Sequence, residues 1–336
     1  MNILKGALAL AIGLASGAAA AQTPEQFYRG KQLKFIASYA AGTDYDQWSR
    51  LIGRHLSKHV PGNPSIVVQN MVGAGGMQGA NHLATAAEKD GTTIMMIGRN
   101  LPYQALTKDP GVRFDPLSFN WIGSPEVATR VCSVLDTAPA KKAEDVFAIE
   151  TIVGGNGAGS AVTQTPTLLN ALLGAKFKIV EGYPAPSDII LAMERGEVHG
   201  FCGSYLSMHQ TPGWLQNGRL RILFNLEQSP IPGVNAPSIF QFVKTEEQKK
   251  ILSIYSSSVE LGRPIAAPPG VPADRVAALR TAFENAMKDP ELVAEATKQK
   301  LDIQVVTGTE VETLIRNLMA SPPDLIEKVN QMTRGK

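Results

Sequence analysis

Four short turns carry the residue types best suited to seating an anion. They are "SYAAGTDYD" at 38–46, "NMVGAGGMQGA" at 70–80, "VGGNGAGSAVT" at 153–163 and "EGYPAPSD" at 181–188. Small residues let a ligand come close to main-chain N–H groups. A helix that begins just after such a turn adds unpaired donors and a partial positive charge. The residues expected to face the ligand are Tyr39, Ala40, Thr43, Asp44 and Asp46 on the first turn, and Gly75 and Gly76 on the second. On the third they are Asn156, Gly157, Gly159, Ser160 and Ala161, and on the fourth Tyr183 and Ser187, with Arg99 and Ser204 completing the set. The same glycines would also serve tight strand-to-helix turns, but four such loops, two in each half of the chain, favour a shared role.

Rival chemistries lack their residues. A dinucleotide fingerprint starting at Gly73 would need glycine where Gln78 stands, and one starting at Gly155 would need it at Ser160. There is no GxxxxGK[ST] run, so neither nucleotide nor other cofactor is expected. His55 and His59 have the i, i+4 spacing of metal ligands on a helix, yet they lack an HExxH glutamate and lie on a lysine-flanked face, read here as solvated. Ser160 lies in "GAGSA" rather than GxSxG, which suits a helix cap or a hydrogen-bond donor better than a nucleophile. No carboxylate pair has an acid/base arrangement.

The elements that must position these turns alternate along the chain. "LKFIASYA", "PSIVVQNM" and "TTIMMIGRN" read as strands, separated by helices over "DYDQWSRLIGRHLSKHV" and "GMQGANHLATAAEK". A second series runs from "TRVCSVL" through "AIETIVGG", the helix "SAVTQTPTLLNALLG", "KFKIVEGY", the helix "SDIILAMERGE", "VHGFCG" and "LRILFNL". Between the two, "DPGVRFDPLSFNWIGSPEVA" is rich in Pro and Gly and reads as a crossing segment. After Leu261 come a strand, a helix begun by Pro272, and further helical stretches. In parallel α/β sheets the strand-to-helix turns gather at the carboxyl ends of the strands, where ligands collect.

Residues 1–21, with Lys5, an apolar run and an Ala-x-Ala ending near Ala21, have the layout of a cleaved secretory signal peptide. The remaining chain, about 315 residues, suits two domains, expected over 22–124 plus 261–336 and over 125–260. With 44% hydrophobic and 18% charged residues and a dispersed net charge of +2, nucleic acid is not expected as a partner. In an exported chain, the only two cysteines, Cys132 and Cys202, are expected to form a disulfide; two separate buried thiols are the alternative.

The blocks "VVQNMVGAGGMQGANHL…KDGTTI", "GGNGAGS", "GYPAPSDIILAMERGEVHG" and "GRPIAAPPGVPADRVAALR" resemble the extracytoplasmic solute receptors of tripartite tricarboxylate transporters, the Bug family, across essentially the whole mature chain. The resemblance implies a type II periplasmic-binding-protein fold: two α/β domains, a ligand cleft between them and two crossing segments. It implies a periplasmic, monomeric, non-enzymatic receptor. This would hold a small carboxylate by main-chain N–H groups of residues 39–46 and 156–161 and deliver it to a two-component membrane permease. A two-domain enzyme acting on an organic acid, or a sensory ligand-presenting subunit, is the alternative. One departure stands out. The family loop commonly has Pro-Gly-Gly before its Asp, whereas Ala41-Gly42-Thr43-Asp44 puts a carboxylate beside the expected anion seat. That weakens binding unless Asp44 points away or meets a cationic part of the ligand; Arg99 and Arg130 are candidates for compensating charge, with ordinary surface arginines as the alternative.

Overall fold

Strand β1 (Gln32–Ala37) alternates its burial only at its start and is buried from Phe35 on, with Phe35 and Ile36 feeding opposite faces of one sheet. After the short helix α1 (Pro24–Tyr28), helix α2 (Asp44–Leu56) covers the Phe35 face with Trp48, Leu51, Ile52 and Leu56, each buried. A side chain of that size contributes about 1.5–3 kcal/mol when fully buried. In the computed structural model, residues 22–127, 129–157, 160–184, 186–205, 208, 213–227 and 234–334 are described. The expected signal peptide, 1–21, lies outside the described residues.

The first sheet has the order β11-β4-β10-β3-β1-β2. Its parallel core is β1 with β2 (Ser65–Asn70) and β3 (Thr93–Met96). Strand β10 (Ile265–Ala267) then inserts antiparallel between β3 and β4 (Asn120–Ser124), and β11 (Val306–Thr307) pairs antiparallel with β4. Two expectations change here. The Pro/Gly-rich stretch read as a crossing segment contains β4, because Trp121 and Ile122 are buried on either face of this sheet. The crossing is confined to the few residues between Ser124 and Arg130. Moreover, the sheet is mixed rather than parallel.

The second sheet, β7-β6-β8-β5-β9, is built from β5 (Arg130–Leu135), β6 (Thr151–Gly154), β7 (Phe177–Val180), β8 (Gly200–Ser204) and β9 (Leu220–Asn225). β6 is parallel to β7 and β8, while β5 lies antiparallel between β8 and β9. Cys132 sits directly opposite Cys202 in the β5–β8 register, and the two form the expected disulfide across a Cα separation of 4.0 Å. The chain therefore passes between the sheets twice, after β4 and before β10.

Helices α3 (Met77–Thr85) and α4 (Leu101–Leu106) belong to the first unit, α5 (Ala161–Leu173), α6 (Pro186–Glu194) and α7 (Glu246–Glu260) to the second. Pro166 inside α5 removes one ladder donor. Hydroxyls on either side of it, Thr165 and Thr167, donate to the Ala161 and Thr163 carbonyls at 2.7 and 2.8 Å. After β10 come α8 (Ala273–Ala286), α9 (Pro290–Lys298), α10 (Gly308–Met319) and α11 (Pro323–Arg334). α9 packs on α2, and α8 and α10 pack on the first sheet. α11 reaches over to the second, placing Leu325 and Val329 in the cluster of Leu168, Leu172 and Leu252. Among the described residues, no helix is long and apolar enough to cross a membrane.

The histidine face of α2, read as solvated, is instead docked. His55 Nε2 lies 2.9 Å from Glu295 and His59 Nε2 lies 2.8 Å from Asp289, both acids on or at the start of α9. Lys58 shares Asp289 and Glu291 at 2.7 and 2.6 Å, so this cluster already contains its cation.

Candidate functional site

The first turn is shaped by Asp46. Its carboxylate accepts from the Gly42 N–H at 2.9 Å, Arg50 Nε at 3.1 Å and Asn70 Nδ2 at 2.8 Å, and Asn70 also donates to the Tyr39 carbonyl. Burial opposes the charge on Asp46, but the bonds from Arg50, Gly42 and Asn70 outweigh it and hold the carboxyl below its ordinary value. Its oxygens are thus engaged by the loop itself. Thr43 caps α2, accepting from the Asp46 N–H at 3.5 Å and donating to the Ala40 carbonyl at 2.8 Å.

Neighbouring turns close on this one. The Tyr39 hydroxyl donates to the Gly75 carbonyl at 2.9 Å, and its ring lies 4.5 Å from that of Tyr45, whose hydroxyl accepts the Arg99 main-chain N–H at 3.1 Å. Gly76 has φ of 92° and stands against Ser38, where a Cβ would come within 3.1 Å of the serine's own. Tyr39, Gly75, Gly76 and Arg99 are therefore brought together, while Ala40 and Thr43 are exposed.

Asp44 is engaged by a cation of this chain. It is paired at 2.6 Å with Arg263, which is 3% exposed and lies in the second crossing. The other terminal nitrogen of Arg263 meets Glu126 in the first crossing, and Trp48 Nε1 donates to the second Glu126 oxygen at 2.8 Å. The guanidinium also lies 5.2 Å from the centre of the Tyr45 ring. Sequence reading missed both Arg263 and Glu126. Arg263 stands in "GRPIAAPPG", 219 residues from Asp44, and no periodicity links residues so far apart.

In the second sheet, β6 runs into the Asn156–Ser160 turn. Gly157 adopts φ of 108° with open space where a Cβ would stand, while Gly159 lies outside the described residues. Asn156 Oδ1 is buried with no hydrogen-bond partner. Ser160 acts as the N-cap of α5, accepting from the Thr163 N–H at 3.3 Å, and Ala161 opens the helix. Tyr183 lies next to this turn, its N–H donating to the Gly155 carbonyl at 3.3 Å. Ser187 is exposed in the first turn of α6, and Ser204, ending β8, stands opposite Arg130 in register.

Where α4 meets α5, α7 and α11, a cavity of about 210 Å³ opens, lined by Asn100, Tyr103, Gln104, Arg130, Ala161 and Tyr255 among others. Arg130 is 2% exposed. Its Nη1 is 3.5 Å from the Tyr255 hydroxyl, and its Nη2 has no hydrogen-bond partner. Gln104 Oε1 on the opposing helix is likewise buried and unsatisfied. Burial pulls the Arg130 guanidinium below its ordinary value, though a guanidinium keeps its proton. Nearby Glu227 is pushed up to about 7 by burial and then by Glu260, against the pull of Arg130 and Arg99. A larger cavity, about 620 Å³, lies between α5, the end of β7 and α11, but its lining includes no buried charge.

No protein-family model and no curated protein matches the chain. Solved structures do. A TctC solute-binding protein from Polaromonas, without ligand, aligns at TM-score 0.68 and 18% identity over 90% of this chain and 99% of its own. MatC from Rhodopseudomonas palustris with bound malate aligns at 0.61 and 19%, covering 88% and 99%. A further R. palustris protein with adipate aligns at 0.63 and 17%, covering 90% and 97%. The chain shares the fold of these structures, two α/β units joined by two crossings.

Proposed function

We propose that this protein is a periplasmic solute-binding receptor of the Bug type. It captures a small carboxylate between two domains and delivers it to a two-component permease of the tripartite tricarboxylate transporter kind. The domains span 22–124 plus 261–336 and 125–260, with α11 of the first range reaching across to the second. Export by cleavage near Ala21 and action as a monomer, by closure rather than by chemistry, complete the reading.

The observation that carries it is that each sheet ends in a turn of small residues leading into a helix N-terminus, in a fold shared with proteins solved with malate and adipate. Main-chain N–H groups of 39–46 and 156–161 would take a carboxylate, with Tyr39, Arg99 and Tyr183 around it. Asp46 shapes the first turn, and Asp44 is held in an ion pair with Arg263 that offsets part of its charge.

A ligand that joins two domains binds the folded, closed form alone. It raises stability by RT ln(1 + [L]/Kd), about 2.7 kcal/mol at a hundredfold excess over Kd. Thermal melts of ligand-stripped protein against di-, tri- and aromatic carboxylates should find at least one stabiliser, with no response to sugars, cationic amines or nucleotides. Small-angle scattering should show that stabiliser compacting the protein. Flat melts across the carboxylates would sink the receptor reading.

A further inference from the structure

Arg130 holds a full charge almost out of contact with water, and among the described residues no carboxylate forms an ion pair with it. Its Nη1 reaches only a hydroxyl and its Nη2 reaches nothing. A buried cation without a counter-ion is strongly unfavourable, and such a group is retained where a ligand supplies the missing charge. Glu227 is the nearest acid to Arg130 in electrostatic terms, yet its own Oε1 also lacks a partner, and with its pKa near 7 it offers only part of a charge at neutral pH. Of the other charged groups on the cavity wall, Asp109 is turned to the Gly111 N–H at 2.9 Å, and Arg334 adds a second cation.

The cavity also holds an unmet acceptor. Gln104 Oε1, contributed by α4, is buried and unsatisfied, so a donor on the ligand would complete it. Arg130 comes from β5 and Gln104 from α4, so the two units supply one unmet group each. Ala161 lines the same cavity, which joins it to the α5 N-terminus. At about 210 Å³ it is smaller than the roughly 300–1,000 Å³ typical of a pocket enclosing a whole ligand. It is the size for one end of a molecule.

We propose that Arg130 and Gln104 form a specificity subsite that takes the second carboxylate of the ligand together with a neighbouring hydroxyl or amino group. Arg130 Nη2 donates to the carboxylate, and Gln104 Oε1 accepts from the substituent. This rests on the receptor reading and narrows its ligand to hydroxy- or amino-substituted dicarboxylates.

Calorimetric titration of the ligand-stripped full-length mature protein tests it. The probes are matched pairs of mono- and dicarboxylates of four, five and six carbons (butyrate and succinate, valerate and glutarate, hexanoate and adipate), with malate and aspartate added. The wild type should prefer at least one dicarboxylate to its partner by at least about tenfold, the range of one charge-assisted hydrogen bond. Malate or aspartate should in turn bind more tightly than succinate. Arg130→Met should erase the first preference while monocarboxylate affinity stays within about threefold, and Gln104→Leu should erase only the second. If Arg130→Met does not fold by near-UV circular dichroism, Arg130→Gln reads the same ratio. Carboxylates that bind with no preference in the wild type, or with a preference Arg130→Met leaves intact, overturn the subsite but not the receptor. Failure of every carboxylate to bind the wild type overturns both.

Discussion

Arg263 divides one guanidinium between Asp44 at the start of α2 and Glu126 in the opposite crossing, and Glu126 is itself only 6% exposed. Removing one member of a buried ionic set strands the others, at about 3–5 kcal/mol. Arg263→Met should therefore lower unfolding stability by that order in urea titration, with the loss much reduced when Asp44→Asn and Glu126→Gln accompany it. Glu227 makes a pH prediction. Its folded pKa of about 7 lies above the unfolded value, so its contribution is fully present below about pH 4.3 and is lost as pH rises through 7. Wild type should lose on the order of 3 kcal/mol across that window relative to Glu227→Gln. Identical pH profiles for the two proteins would show that burial does not shift this carboxyl. At Gly157, φ of 108° excludes a β-branched residue, and the open space in front of it is where a ligand would approach. Gly157→Val should abolish carboxylate binding in the same titrations.

Between elements, the α2–α9 seam is ionic. Lys58 and His59 hold Asp289 well below the usual carboxylate range, and His55 followed by Arg54 does the same for Glu295. Depressed carboxyls stabilise above their unfolded pKa and lose that contribution as pH falls through the folded value. Calorimetric melts should therefore drop in temperature below about pH 4, and Asp289→Asn should blunt the drop. The cations Lys58 and Arg54 are exposed, so added salt should weaken the effect as well. In the second sheet, the Cys132–Cys202 bridge closes a 70-residue separation between strands already in register. On chain-entropy grounds it stabilises by about 4 kcal/mol, so the reduced protein should unfold at correspondingly lower denaturant. Two titratable thiols in the non-reduced mature protein would contradict the bridge.

At the scale of the whole molecule, the C-terminal helix ties the halves together. α11 buries Leu325 and Val329 in the second unit's core, and Asn330 accepts from the Tyr103 hydroxyl of α4 at 3.0 Å. Deleting 323–336 would uncover Leu168 and Leu172 and open one wall of the Arg130 cavity. The truncated protein should bind a hydrophobic dye and lose cooperative melting, although the first sheet does not touch this helix through its core cluster.

Local chemistry determined much of this protein before any folding argument was needed. Most of the strand and helix order, the Gly-rich turns, the Ser160 cap and the pair of cysteines follow from patterns within a few residues, because hydrogen-bond spacing and side-chain period act at that range. What the pattern concealed has a common cause. β4 was hidden in a Pro/Gly-rich stretch because its neighbours, β10 and β11, come from more than 140 residues later in the chain. The histidine face looked solvated because the acids that dock on it lie on α9. Only the tertiary structure turned Asp44 toward Arg263, left Arg130 without an ion pair among the described residues and set Gln104 opposite it, since burial and pairing are decided by which distant segments exclude water together.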